Sequence, residues 1–279
     1  MAPRLSPNLT IMANAAQKAA KRLLRDFAEV EQLQVSIKGP SDFVSQADVR
    51  AENSIREDLN KARPGYAFLM EESGASGSDN WTWRWVVDPL DGTTNFLHGI
   101  PQWAISIGLE RRLPTGEIEP AAAVIYAPAV DEMFMAEKGA GAYMNDRRLR
   151  VSARRDLSEA VFATGIPFAI APPRQRLAFA RTLGLLSPQI AGIRRFGSAA
   201  LDLAWVAAGR FDGYWEIGIK PWDIAAGTLL VREAGGYVTD PEGRETVGAD
   251  IVSGNPHFHP VLLQAVAEGL AAAGSAMGS

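Results

Sequence analysis

Six acidic residues stand at the ends of apolar runs or beside glycine, proline or tryptophan: Asp48, Glu71, Glu72, Asp88, Asp91 and Asp223. The densest group is in VVDPLDGTTNF, residues 86–96, where Asp88 and Asp91 flank Pro89 and Leu90 and a polar run follows, Gly92, Thr93, Thr94 and Asn95. Taken alone, such a stretch also reads as a solvated turn, because Asp, Gly, Thr and Asn bond readily to their own backbone. Taken together, hard oxygen ligands in this number suit magnesium or manganese better than zinc or copper. Paired carboxylates flanking a glycosidic bond are the other chemistry open to the set. The polar turn separates the two readings. Residues Gly92 to Asn95, followed by FLHG, can present backbone N–H groups at a short helix N-terminus, a ready anion site. An anion site beside clustered acids makes sense with cations between them, and phosphate hydrolysis at a two- or three-metal site follows.

Composition narrows the alternatives. The 279 residues contain no cysteine, which removes disulfides, thiolate metal sites and cysteine nucleophiles. A hydrophobic content of 47% is enough to fill a substantial core, in one large or two ordinary domains. The formal charge of −4 gives no general reason to expect nucleic acid or an anionic membrane as partner. No stretch approaches the roughly 18 consecutive apolar residues of a membrane span and no apolar leader is visible, so a cytoplasmic enzyme is expected. His257 and His259 form an H-x-H pair in GNPHFHP without a third ligand in view, weak grounds for zinc.

The elements that must hold the acids can be read from periodicity. Leu9, Met12, Ala16, Ala19, Leu23, Phe27 and Val30 recur every three or four residues and predict a long amphipathic helix. A Gly/Pro-interrupted loop with Lys38 comes next, then a second helix that starts near Asp48 and closes at Pro64. Two apolar runs, YAFLM and WRWVV, read as strands ending in acids, the second cut off by Pro89, which should not continue into a central strand. Short, turn-separated runs over 103–144 predict an antiparallel sheet. From about 153 strand-like and helix-like runs alternate, as in a smaller α/β unit. The expected division is 1–152, an α+β domain with most of the acids, and 153–279, an α/β domain that completes the site with Asp223.

Four motifs in order now become specific. DPLDGTTNF (88–96) resembles the first signature of the inositol monophosphatase family and PWDIAAGTLLVREAGG (221–236) the second. MEESG (70–74) and the K-G-x-x-D-x-V-x-x-A-D pattern at 38–48 match the family's order as well, and the resemblance runs over roughly residues 8–265. It implies a layered αβαβα sandwich and a homodimer. The implied reaction is magnesium-dependent hydrolysis of myo-inositol 1-phosphate or a related polyol monophosphate, with two or three Mg2+ per subunit, Mn2+ as a substitute and inhibition by lithium. Histidinol-phosphate phosphatase is the alternative inside the class, and a regulatory protein that binds RNA polymerase or another macromolecule is the alternative outside it.

The same resemblance assigns roles. Glu71, Asp88 and the carbonyl of Leu90 resemble a first metal site, and Asp88, Asp91 and Asp223 a second, with Asp88 bridging and Glu71 bordering a weaker third. Thr93 and Asp48 resemble the pair that orients and deprotonates the attacking water, while the backbone amides of Gly92 and Thr93 would hold phosphate. Asp91, Glu216, Asp223 and the backbone at Ser198 and Ala199 correspond to contacts with the alcohol. Glu72 would support these ligands, and Lys38 would add a positive charge near the third metal. Several residues have plainer readings too. Glu216 also reads as an edge-strand surface charge, Ser198 as a helix N-cap, Glu233 as part of a glycine-terminated helix, and Arg194 and Arg195 as exposed cations. TGIPF (164–168) and RRFGSAALDLAWVAAGRFDGYWEIG (194–218) resemble bacterial rather than animal members.

Overall fold

The computed structural model describes residues 6–29, 35–39, 42–167, 171–245 and 250–277, and side chains at all of these except 35–45 and 275–277. Helix α1 (Pro7–Ala28) starts where Ser6 accepts a hydrogen bond from Leu9 N at 3.2 Å and Pro7 takes the first helical position. Its apolar stripe is buried at Leu9, Met12, Ala16, Ala19 and Leu23, as the spacing predicts, while Val30 lies outside the described residues. Strands β1 (Val35–Gly39) and β2 (Asp42–Ser45) pair antiparallel. This corrects the loop expected for Lys38: it stands on β1 where the register slips between Ile37 and Gly39, and its side chain lies outside the described residues. Helix α2 (Gln46–Ala62) follows directly, with Asp48 in its first turn.

Strands β3 (Ala67–Met70), β4 (Gly74–Ser76) and β5 (Trp83–Asp91) lead to the short helix α3 (Thr93–Leu97). Then come β6 (Ala104–Arg112), β7 (Ile118–Ala127), β8 (Glu132–Glu137), β9 (Gly141–Met144) and β10 (Arg147–Arg148). Together they form one sheet of eight strands in the order β10-β9-β8-β7-β6-β5-β3-β4, antiparallel except for the β3/β5 pair. Here the reading of Pro89 is overturned: β5 lies between β3 and β6 and continues through the proline to Asp91. The strand tolerates it because the ladder slips between Asp88 and Asp91, a bulge where no N–H has to be donated.

The rest of the chain alternates as expected: β11 (Val161–Thr164), α4 (Pro173–Leu186), β12 (Gly192–Arg194), α5 (Ala199–Ala207), β13 (Gly213–Ile217), α6 (Pro221–Glu233), β14 (Tyr237–Thr239), β15 (Asp250–Gly254) and α7 (His259–Met277). These strands form a mixed sheet of five in the order β12-β11-β13-β15-β14. Glu216 therefore sits on an interior strand, not on an edge.

The layers run helix, sheet, helix, sheet, helix, the sandwich that the motifs implied. Helices α1 and α2 cover the outer face of the larger sheet, burying Met12, Ile55, Trp85, Val87 and Ile107. Helices α5 and α6 fill the space between the sheets and are apolar nearly all round, as a helix buried on two sides must be. At Gly227 a Cβ would lie 2.5 Å from the Leu203 Cβ, so the missing side chain is what lets α5 and α6 approach. Helices α4 and α7 pack together outside the smaller sheet, over Phe162, Trp215, Val252 and Phe258.

Candidate active site

The acids meet because β3 and β5 run parallel side by side and end together. Met70 is in register with Val87, and the next residue, Glu71, donates its N–H to the Val87 carbonyl at 3.1 Å, which sets Glu71 beside Asp88. The bulge in β5 supplies the second step. Asp88 accepts from Leu90 N at 2.9 Å and is only 2% exposed. Asp91 lies one bulge further, opposite Ala104. Asp223 comes from the distant end of the sequence: it occupies the first turn of α6 and accepts from the Lys220 N–H at 3.1 Å. Ser106 on β6 reaches the carbonyl of its neighbour Trp222 at 3.3 Å, tying the helix end to the sheet. One carboxylate oxygen from each of Asp88, Asp91 and Asp223 lies within 4.8 Å of the others.

That geometry is electrostatically costly for the bare chain. Burial pushes the Asp88 carboxyl well above the usual range, and the neighbouring charges of Glu71, Asp91 and Asp223 push it further. Asp223 is raised well above its ordinary value by burial and by Asp91. Asp91 is raised to about 6 by burial, although the Ser198 hydroxyl and the amides of Ala200 and Ala199 pull against the rise. Converging carboxylates that disfavour one another's ionisation are a donor set that a divalent cation satisfies, and the cluster can hold a metal ion.

A stability effect follows. A carboxyl whose pKa is raised by folding binds its proton more tightly in the native state. Its contribution to stability is full below the unfolded value and is lost as pH rises through the folded one. For Asp91 that window runs from 3.8 to about 6. The metal-free protein is therefore expected to lose on the order of 1–3 kcal/mol of stability across it, which a bound divalent cation should restore. Calorimetric melting in chelator and in excess magnesium, at acidic and neutral pH, checks this. A magnesium-induced rise in Tm no larger at neutral than at acidic pH would contradict it.

Beside the acids stands the polar turn. Gly92 precedes α3 in the left-handed region, at φ 94°, and a Cβ there would lie 2.8 Å from the Gln102 carbonyl, so both conformation and space require glycine. Thr93 Oγ1 lies 3.0 Å from Asp48 Oδ1 and 3.1 Å from the Leu90 carbonyl, and Asp48 is fully buried in α2. The Asn95 amide donates to the carbonyls of Gln102 at 2.7 Å and Phe196 at 2.6 Å, pinning the turn to the segment before α5.

That segment forms the other wall. Ser198 Oγ and Ala200 N both donate to Asp91 Oδ2, each at 2.7 Å. Ser198 also accepts from Leu201 N at 3.4 Å, so it caps α5 and holds Asp91 at once. Glu216 projects from β13 against Gly165, where a Cβ would lie 2.0 Å from its carboxyl carbon. Its carboxyl is pushed up to about 7 by burial, while the Tyr214 hydroxyl, donating to Oε2 at 2.5 Å, pulls it down.

Other residues singled out in the sequence make contacts of their own. Glu72 donates its backbone N–H to Glu52 Oε2 at 2.8 Å, which fixes the turn after β3. Glu233 accepts from the Gly139 and Gly141 amides at 2.7 and 2.8 Å, a link from α6 to the larger sheet. His259 is buried, with its ring 3.0 Å from Thr239 Oγ1, and no metal-ligand group among the described residues includes a histidine. Sequence reasoning missed Asn95, Gly165, Asp202 and Tyr214. Of these Asn95 alone carried a signal, as the last polar residue of the turn.

Comparison with known proteins bears on this arrangement directly, since a sequence profile of the inositol monophosphatase family matches residues 5–274. The chain belongs to that family. It is an enzyme, a phosphoric monoester hydrolase. It is 53% identical over 266 residues to an inositol-1-monophosphatase of Mesorhizobium japonicum, covering 95% of this chain and 97% of that one. The Nus factor SuhB of Escherichia coli K12 is 42% identical over 261 residues, covering 93% and 95%. Among solved structures, the extragenic suppressor protein suhB of Bartonella henselae superposes with a TM-score of 0.87 at 51% identity, over 94% of this chain and 98% of that one. The inositol monophosphatase of Anabaena sp. PCC 7120 gives 0.79 at 36% identity, over 93% and 94%. Among the described residues no helix is long and apolar enough to cross a membrane.

Proposed function

We propose that this phosphatase hydrolyses myo-inositol 1-phosphate, or a closely related polyol monophosphate, with Mg2+ held by the acidic cluster. The observation that carries the reading is the contact of Thr93 with buried Asp48, beside carboxylates able to hold cations. Glu71, Asp88 and the Leu90 carbonyl would hold one ion and Asp88, Asp91 and Asp223 a second, with Glu71 bordering a third. Mn2+ would substitute, and lithium would compete for the second position. The cations supply an acidified water and stabilise the charge on the departing oxygen.

The remaining work falls to the chain. The Thr93 hydroxyl has two acceptors in reach, Asp48 and the Leu90 carbonyl. In the productive arrangement the hydroxyl donates to Asp48. Its lone pair is then free to take a hydrogen bond from the attacking water, aiming it at phosphorus, and Asp48 receives the proton that water gives up. The Gly92 and Thr93 amides hold the phosphate oxygens. Glu216 and the backbone at Ser198 and Ala199 receive the alcohol. Lys38 would add a positive charge near the third ion.

A panel of phosphomonoesters with and without magnesium tests the assignment, and Glu216 is the handle on the substrate. If its carboxylate accepts from ring hydroxyls, Glu216→Gln should lower kcat/KM for inositol 1-phosphate by about 1–3 kcal/mol of transition-state binding and spare glycerol 2-phosphate. A larger loss on histidinol phosphate than on inositol 1-phosphate would move the assignment to a cationic alcohol. A homodimer accords with the family. A second role in transcription is supported by the relatives named Nus factor SuhB, and a normal rate of RNA synthesis after deletion of the gene would remove it.

A further inference from the structure

Arg195 follows β12 at the surface, and its guanidinium turns back over Gly197. Gly197 has φ 80°, and a Cβ there would lie 2.9 Å from Arg195 Nη1, 3.5 Å from Cζ and 3.4 Å from the Asn95 amide nitrogen. The carbonyl of the same glycine is 3.3 Å from where a Cβ on Gly92 would stand. The cation is thus laid against the seam between the polar turn and the start of α5, next to Ser198, which binds Asp91. Its field reaches two buried carboxyls, those of Glu216 and Asp202. It forms no ion pair with either of them, nor with any other described residue. Asp202, 2% exposed, leaves its Oδ1 without a hydrogen-bond partner among the described residues.

A guanidinium with no ion-pair partner among the described residues keeps its planar fork of donors for other acceptors, a match for adjacent hydroxyls that can accept from it while donating to Glu216. Its charge also changes what the alcohol pocket selects. The Glu216 carboxylate alone would draw a cationic leaving group, and a positive charge close enough to act on it offsets that attraction. We propose that Arg195 is a specificity-determining residue, donating to hydroxyls of an uncharged polyol leaving group and disfavouring a cationic one. The proposal rests on the polyol-phosphatase reading above and extends it to a residue outside the signature motifs.

The test measures kcat/KM for inositol 1-phosphate, glycerol 2-phosphate and histidinol phosphate with the wild type, Arg195→Gln and Arg195→Lys, and records the oligomeric state of each protein. Arg195→Gln should cut inositol 1-phosphate turnover about tenfold and glycerol 2-phosphate less than about threefold, while histidinol phosphate gains on both. Arg195→Lys, which keeps the charge without the fork, should restore the discrimination against histidinol phosphate and recover only part of the inositol 1-phosphate rate. An equal loss on all three substrates, with or without a change in oligomeric state, would show that Arg195 supports the structure or a subunit contact and would overturn the proposal. Unchanged ratios in Arg195→Gln would overturn it too, with the polyol reading intact as long as the wild type prefers inositol 1-phosphate. A wild type that hydrolyses none of the three would sink both.

Discussion

Asp91→Asn is expected to reduce kcat by at least about 10³-fold while the protein stays folded, a larger effect than the 10–100-fold typical of losing an outer partner of a metal ligand. Asp91 is asked to do two things at once. Its Oδ2 accepts from Ser198 and Ala200, and the carboxylate also stands in the cluster with Asp88 and Asp223. An amide can keep an acceptor for one of those donors, so the seam with α5 should survive. The amide carries no charge, however, and the cation position it shares loses a third of its carboxylates. The same change removes a carboxyl that burial holds at about 6. In chelator at neutral pH the variant should therefore melt higher than the wild type, because less repulsion remains in the metal-free cluster. Activity near that of the wild type in saturating magnesium would sink the metal assignment, and a lower metal-free Tm would sink the electrostatic account.

Thr93→Ala is expected to lower kcat by about 10²–10⁴-fold with little change in magnesium affinity, the span for losing positioned acid–base assistance. The hydroxyl links Asp48 to the carboxylate side, at 3.0 Å from Asp48 and 3.1 Å from the Leu90 carbonyl. Without it, Asp48 remains buried in α2 but loses that relay toward the water. The backbone of the turn is held separately, by Asn95 and by the left-handed Gly92, so phosphate contacts from the amides should persist. Single-turnover kinetics with magnesium titration separates the two quantities. A rise in KM with kcat unchanged would make Thr93 a binding group and leave the water without the partner assigned to it.

Much of this was legible in the residues alone. The stripe on α1, the start of α2 near Asp48, the antiparallel run over 103–144 and the alternation after 153 all follow from periodicity and turn chemistry, because local burial sets the period on each element. The acids and the polar turn were legible for the same reason: ligand chemistry is a property of residue type, and DPLDG followed by Thr-Thr-Asn leaves few uses. What the sequence could not decide is how distant pieces meet. Pro89 reads as a strand end, yet β5 runs on through it, since the ladder with β6 slips there and asks for no donor. Glu216 passes for an edge charge until the sheet order places β13 inside. The partnership of Ser198 with Asp91 spans more than a hundred residues, and the place of the Arg195 guanidinium over Gly197 depends on a glycine whose missing Cβ leaves room for it. Residue types name the chemistry that is possible; only close packing of α5, α6 and two sheets fixes which charges share a site, because electrostatic coupling acts through space at a few ångströms and leaves no period in the chain.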